Sequence, residues 1–290
     1  MIRKSVLLLL LITLSNSSQA STNYFVGEKA YNASKYSLAL QSWEKSAAEG
    51  DSRGLNGLGK LYHSGKGVEQ DYNKAFHYYS LSSKKNNNEA IGNLGILYLE
   101  GKGVEKDTKL GLKLIHKSAN NGSKQSLVNL GKIYQSGLGV SKNLPIAAKW
   151  YTKATNAGMA EAQLLLANMY FSGNGVEQDY GRSYQLNLLC AEQEKPECLY
   201  NTGYNYHHGN GVKKDYQQAH YWYEKAYAKG DIDACVALGL LYRHGYGVEK
   251  NLQKAYDLFT YAIERGHQTA LYERNFMLTE YQLFKPKQLQ

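Results

Sequence analysis

The sequence predicts an all-α protein, a right-handed α/α superhelical solenoid of about seven helix pairs with a C-terminal capping helix. Three observations carry that prediction. A G-x-G-V tetrapeptide opens at Gly65, Gly101, Gly137, Gly173, Gly209 and Gly245, every interval being 36 residues. A tyrosine precedes each of these glycines in constant register (Tyr62, Tyr98, Tyr134, Tyr170, Tyr206, Tyr242), and a valine follows (Val68, Val104, Val140, Val176, Val212, Val248). Between the loops, small and apolar residues recur at helical spacing and no segment alternates as a strand would. Self-similarity at a period of about 20 to 50 residues marks stacked supersecondary units, each burying against its neighbours an apolar face it cannot bury alone.

In chain order, residues 1–20 read as a secretory signal peptide. Arg3 and Lys4 precede an apolar run from Val6 to Leu14, and Ser18-Gln19-Ala20 supplies small residues for cleavage, so the mature chain is expected to start at Ser21. The run is far shorter than the roughly 20 apolar residues of a membrane span. No cysteine follows the cleavage point, which argues against a lipid anchor, and the expected location is the periplasm, with secretion beyond the outer membrane as an alternative. The formal charge is +9 and becomes +7 without Arg3 and Lys4, with lysine spread along the whole chain. Export argues against nucleic acid as a partner, and a diffuse positive field points instead to anionic proteins or other anionic envelope components.

Residues 21–50 read as an N-terminal helix pair without the G-x-G loop, a cap for the stack. Six full units fill residues 51–266. In the unit Ser123 to Gly158, Leu127, Leu130, Gly131 and Tyr134 form the stripe of a first helix that stops at Gly137, where a left-handed residue suits the reversal. A second helix starts after Asn143, and the equivalent Asp71, Asp107, Asp179, Asp215 and Asn251 are all good N-caps. Pro145 suits a first turn, Ala147, Trp150, Tyr151 and Ala154 continue the stripe, and Gly158 closes the unit as Gly50, Gly122, Gly230 and Gly266 do elsewhere. Residues 267–290 supply a closing helix, His267 to Phe284, and a tail. Solenoids need such atypical ends because an uncapped terminal repeat exposes its core face.

Cys190 falls near the end of one second helix and Cys198 in the following first helix, so the turn between them brings the two within disulfide range, and a disulfide is expected there in an oxidising compartment. Cys235, in Ala234-Cys235-Val236, is expected to be a small buried core residue. His207, His208 and His244 lie beside the loops with no carboxylate or cysteine at the same position, so they read as a polar rim and no metal is expected. No cofactor is expected either. No nucleophile, base and orienting group recur together, and the sequence holds no H-E-x-x-H; the repeated aspartates are explained by capping, so no catalytic residues are assigned.

First helices of a solenoid line an extended, usually concave surface. With the repeated glycine at zero, alanine at −5, leucine at −1 and tyrosine at +3 mark the core side, which leaves −3, +1 and +4 exposed at 100° per residue. Those positions hold Ile96 and Leu99, then Val128, then Leu164 and Phe171. They continue with Tyr200, Tyr204 and His207, then Val236, Leu240 and Arg243, with Lys60 and Lys132 among them. Apolar and aromatic residues interspersed with a few basic ones compose a recognition surface, and a protein or extended peptide is the expected partner.

The unit Asp231 to Gly266, with Ala234, Leu238, Gly239, Tyr242, Gly245, Gly247, Val248, Lys254 and Ala255, resembles the Sel1-like repeat family, relatives of the tetratricopeptide repeat. The resemblance covers about Asp51 to Gly266. It departs where Asn143 and Asn251 replace aspartate, where Ala167 replaces glycine, and where Gly111 and Ser183 replace the second-helix alanine. The family's cysteine-rich secreted branch is similar in pairing C-x7-C across the junction occupied here by Cys190 and Cys198, which supports the disulfide. The resemblance implies a protein-binding scaffold rather than an enzyme: an envelope adaptor, an immunity-type inhibitor of an envelope-attacking effector, or a host-directed factor. Some cysteine-rich relatives are weak β-lactamases, which makes a weak β-lactamase-like hydrolase a further alternative, disfavoured here because the sequence carries only one C-x7-C pair.

Overall fold

Each period folds as two helices, and the loop joining them shows why its two glycines recur. The computed structural model describes residues 19–284, which are helical throughout apart from turns and loops. Residues 1–18, most of the expected signal peptide, and 285–290, the end of the tail, lie outside the described residues. Gln19 and Ala20 already belong to the first helix, where the Ala20 carbonyl accepts a hydrogen bond from Ser46 Oγ at 3.0 Å. The chain divides into two compact units. The first, 1–143, holds α1 (19–32), α2 (Tyr36–Ala48), α3 (Ser52–Ser64), α4 (Tyr72–Lys84), α5 (Asn88–Glu100), α6 (Thr108–Asn120) and α7 (Lys124–Ser136). The second, 144–290, holds α8 (Leu144–Asn156), α9 (Ala160–Ser172), α10 (Tyr180–Ala191), α11 (Pro196–His208), α12 (Tyr216–Ala228), α13 (Ile232–His244), α14 (Leu252–Glu264) and α15 (Gln268–Phe284). Among the described residues no helix is long and apolar enough to cross a membrane.

The first loop glycine is the left-handed C-cap of its helix, with φ from 68° at Gly65 to 81° at Gly137. The chain then turns back on itself. In the first unit the amide of Asp71 donates to the carbonyl of Tyr62 and that of Asp107 to Tyr98; in the second, Asp179 donates to Tyr170, Asp215 to Tyr206 and Asn251 to Tyr242, all at 2.8 to 3.0 Å. The side chains of the same five residues accept from backbone amides in the first turn of the next helix, the capping role expected of them. The second glycine answers a further constraint. A Cβ on Gly103 would run into the Tyr72 carbonyl, and one on Gly211 into that of Tyr180, so this glycine lets the loop lie on the start of the preceding repeat's second helix.

The core between paired helices is a ladder of large side chains on glycine. Tyr79 lies over Gly59, Ile115 over Gly95, Tyr223 over Gly203 and Phe259 over Gly239, and any Cβ on those glycines would meet the ring or side chain opposite. Leu61, Leu97 and Ile133 in the first unit, and Met169 and Leu241 in the second, lie two residues past the repeated glycine or its alanine and are fully or nearly fully buried. Full burial of each such side chain is worth about 1.5 to 3 kcal/mol. This +2 position was not part of the predicted core side, and it is more deeply buried than the +3 tyrosines: Tyr62, Tyr98, Tyr170 and Tyr206 are only half-buried.

The disulfide joins Cys190 and Cys198 with 5.6 Å between their Cα atoms. Its position has a hydrogen-bonded precedent, since the equivalent pair two repeats earlier in the first unit is Ser118 and Ser126, whose hydroxyls lie 2.7 Å apart. Cys235 is buried, as expected, and burial pushes its thiol up to about 11. The terminal helix α15 buries Ala270 and Met277 but leaves Leu271, Tyr272, Phe276 and Leu278 exposed among polar residues. Charge is less even than the spread of lysine suggests. Residues 1–143 carry 19 lysines and arginines against 10 aspartates and glutamates, whereas residues 144–290 carry 15 against 15.

Candidate protein-docking face and its cleft

The predicted face divides into residues that stay accessible and residues that do not. Ile96, Leu164, Phe171, Tyr200, Tyr204, His207 and Leu240 are half-buried, Lys60 likewise, and Lys132 is exposed. Four predictions fail: Leu99 and Val128 are fully buried, and Val236 and Arg243 are 6% and 5% exposed. Leu99 is covered because Gly111 brings α6 against its backbone and Gly139 brings the next loop onto its side chain. In the first unit the −3 position is buried, at Asn56, whose Oδ1 accepts from Asn93 Nδ2 of the neighbouring first helix at 3.0 Å, and at Val128, whereas Leu164 and Tyr200 hold it half-buried in the second. Val236 belongs to the buried core of the second unit, and Arg243 lies against α15. There Arg243 Nη1 meets Glu273 Oε2 at 2.9 Å and the guanidinium stands 4.7 Å from the Phe276 ring centre, so this arginine is a structural tie rather than a docking contact.

In the first unit the accessible remainder is Ile96 in an open cleft of about 340 Å³ with His63, Asn93, Gln125, Asn129 and Lys132. The aromatic concentration is in the second unit. Phe171 lies 6.2 Å from Tyr204, which lies 6.4 Å from Tyr200, and Tyr200 packs at 5.5 Å on the buried Tyr223. Tyr204 also covers His208 at 4.2 Å, and His208 stacks on His207 at 4.6 Å. Burial, reinforced by the nearby Asp233 and Asp231, pushes the Tyr200 hydroxyl up to about 12. Burial, with His208 and Lys214 beside it, pushes His207 down to about 4. Both residues are therefore neutral near pH 7, and the face offers rings and hydrogen bonds rather than charge. Among the described residues no three histidines, cysteines or carboxylates converge as a metal site would require.

Below the three rings is a cleft of about 220 Å³ lined by Asn168, Phe171, Ser183, Asn187, Tyr200, Asn201, Tyr204 and Asn205. The sequence reading missed it, although one signal was available. The second-helix ladder of Tyr79, Ile115, Tyr151, Tyr223 and Phe259 is interrupted at the same 36-residue phase by Asn187, and Ala167 stands where the other five repeats have glycine. A short amide in place of a ring leaves space that the alanine methyl does not fill.

Comparison with known proteins agrees with this architecture. The chain is similar to the crystal structure of a protective antigen present in uropathogenic Escherichia coli strains and displaying an SLR fold, with TM-score 0.68 and 31% identity over 90% of this chain; it spans 57% of that protein's length. A Sel1 repeat protein from Oxalobacter formigenes matches with TM-score 0.68 and 30% identity, over 83% of this chain and 99% of the other. A Pseudomonas aeruginosa protein at 18% identity and TM-score 0.56, covering 74% of this chain and 83% of its own, shares the fold. No curated protein sequence matches significantly. The Sel1 repeat profile matches residues 52–87, 88–123, 124–159, 160–186, 196–231 and 232–267, and lapses over the stretch that carries Asn187 and Cys190. Six matches over most of the chain, on helix pairs with the loop glycines, caps and aromatic ladder just described, place the protein in the Sel1 repeat family, a scaffold fold whose members bind other proteins.

Proposed function

We infer that this chain is an exported scaffold that docks another protein, or an extended segment of one, on the first-helix face of its second unit. The observation that supports this best is the group of Phe171, Tyr200 and Tyr204, three large rings left half-accessible around one cleft while the equivalent surface toward α15 is covered. Aromatic side chains with a polar edge lose little conformational entropy on docking and dominate interface energies. Export rests on the basic, apolar and small-residue order of residues 1–20.

Two measurements test this reading. N-terminal sequencing of the protein recovered from the periplasm of a cell expressing the full chain should give Ser21 first; retention of residues 1–20 in a cytosolic product removes the export half. Affinity capture from envelope extracts, run with the parent and with a Phe171→Ala, Tyr200→Ala, Tyr204→Ala variant that still melts cooperatively, tests the docking half. Capture by the parent alone supports the face, and equal capture by both moves docking elsewhere. One tightly held stoichiometric partner would identify an inhibitor of the immunity type, and several weaker ones an adaptor.

A further inference from the structure

The cleft under the rings contains polar groups that the fold itself leaves unanswered. Ser183 and Asn187 are 1% and 4% exposed. Ser183 Oγ and Asn187 Oδ1 are nevertheless without any hydrogen-bond partner within the chain, and both residues line the cleft. Buried polar atoms are seldom left so, because each forfeits its hydration without replacement.

The direction of the Asn187 amide is fixed by its neighbours. Asn205 Nδ2 donates to the backbone carbonyl of Asn210 at 2.9 Å, and a carbonyl can only accept. Asn205 Oδ1 is therefore turned toward Asn187, whose Nδ2 donates to it at 3.1 Å. Flipping Asn187 would set two amide oxygens against each other. Its Oδ1 is consequently the buried acceptor left unanswered, on a residue that lines the cleft. Ser183 precedes it by one helical turn on the same face of α10 and offers a hydroxyl that can donate or accept.

Ligand chemistry follows from what lines the cleft. None of the eight lining residues is charged. A carboxylate would bring an acceptor to an acceptor, near Asp231 and Asp233, whose charges reach Tyr200. An ammonium or guanidinium would be desolvated with no carboxylate in the lining to pair with it. A primary carboxamide supplies both missing partners, its N–H for Asn187 Oδ1 and its carbonyl for Ser183 Oγ, while its methylene stem lies against the rings of Phe171, Tyr200 and Tyr204. We propose that the cleft under Phe171, Tyr200 and Tyr204 is a side-chain pocket that receives a glutamine or asparagine of a docked polypeptide, read by Asn187 and Ser183. This rests on the docking role inferred above and names the chemistry of the partner at its central contact.

The test uses the full chain with ¹⁵N-labelled asparagine and NMR titration with blocked Gly-X-Gly tripeptides, X being Gln, Glu, Met or Lys, and with N-acetylglucosamine as a non-peptide amide. The Gln peptide should shift the Asn187 and Asn205 side-chain amide signals saturably, and the other three peptides should bind at least tenfold more weakly, because a site built around hydrogen bonds rejects isosteres that lack them. Asn187→Leu should weaken the Gln peptide at least tenfold. The pair Ala167→Gly with Asn187→Tyr restores the ring-on-glycine packing of the other repeats, so it should fold at least as stably as the parent and lose the binding. Equal response to all four peptides, preference for Lys, Glu or the sugar, no saturable response by about 10 mM, or undiminished binding by the filled double variant would each overturn the assignment. Should the tripeptides fail while the triple aromatic variant still abolishes protein capture, the carboxamide pocket alone falls and the docking face stands.

Discussion

At the residue scale, Glu194 occupies a left-handed turn, φ 55°, at the position where Gly158, Gly230 and Gly266 serve the rest of the second unit. An L side chain in that backbone region costs about 1 kcal/mol or more. Its carboxylate meets Lys229 Nζ at 2.6 Å, which holds the acid below its ordinary range, but both groups face solvent and an exposed pair offsets little of the backbone cost. Glu194→Gly should therefore raise stability by roughly 0.5 to 1 kcal/mol in urea unfolding. Asp107 illustrates the opposite case. Its carboxylate accepts from the Leu110 amide at 2.8 Å, and Asp107→Ala should cost about 1 kcal/mol in the same measurement. Gly203 has no such latitude, since a Cβ there would press on the buried Tyr223 ring. Gly203→Val should lower stability by more than 2 kcal/mol, by the cost of overpacking a filled core.

At the scale of elements, the contact between α10 and α11 is held by the Cys190–Cys198 bond, beside the one ladder position that lacks a large apolar side chain. Replacing both cysteines with serine reproduces the Ser118 and Ser126 arrangement, so the helices should still form while the unit loses about 2 kcal/mol expected for a short closed loop. Denaturant unfolding with and without reductant checks this: the parent should shift with reductant and the double variant should not. The same elements show what periodicity can disclose. Helix pairs, caps, loop glycines and the disulfide were legible because each is a local relation repeated in register, and repetition averages out uncertainty in any single helix. The docking face was legible only in part. Whether Leu99, Val128, Val236 and Arg243 are open depends on what lies across them, and that is decided by α6, the neighbouring first helices and α15 rather than by the phase of their own helix. The cleft was recorded in the sequence as an exception, Asn187 among tyrosines, isoleucine and phenylalanine, and an exception becomes readable only once its partners Ala167, Ser183 and Asn205 are known.

At the scale of the whole molecule, stability is tied to pH through histidines that burial keeps neutral. His63, His207, His208 and His220 are all shifted downward, chiefly by burial. For His207 the folded value of about 4 lies below the ordinary 6.5, so the unfolded chain binds the extra proton between those limits. Its contribution is fully present above pH 6.5 and is lost as pH falls toward 4. Thermal melts should accordingly move to lower temperature from pH 7 to pH 4, and His207→Gln should flatten the part of that slope that belongs to this site. The formal positive excess lies entirely in residues 1–143, so attraction to anionic surfaces should vanish with charge reversal of lysines there and persist when lysines of the second half are changed, as salt elution from a sulfonated resin would register. The two kinds of turn, finally, divide each repeat into an edge that tolerates grafting and an edge that does not. Gly122, Gly158, Gly230 and Gly266 have open space where a side chain would begin, whereas Gly103, Gly211 and Gly247 rest on the backbone behind them. A peptide tag or a whole reporter domain spliced in at Gly230 should leave its host intact, and the same cargo at Gly211 would pry two repeats apart.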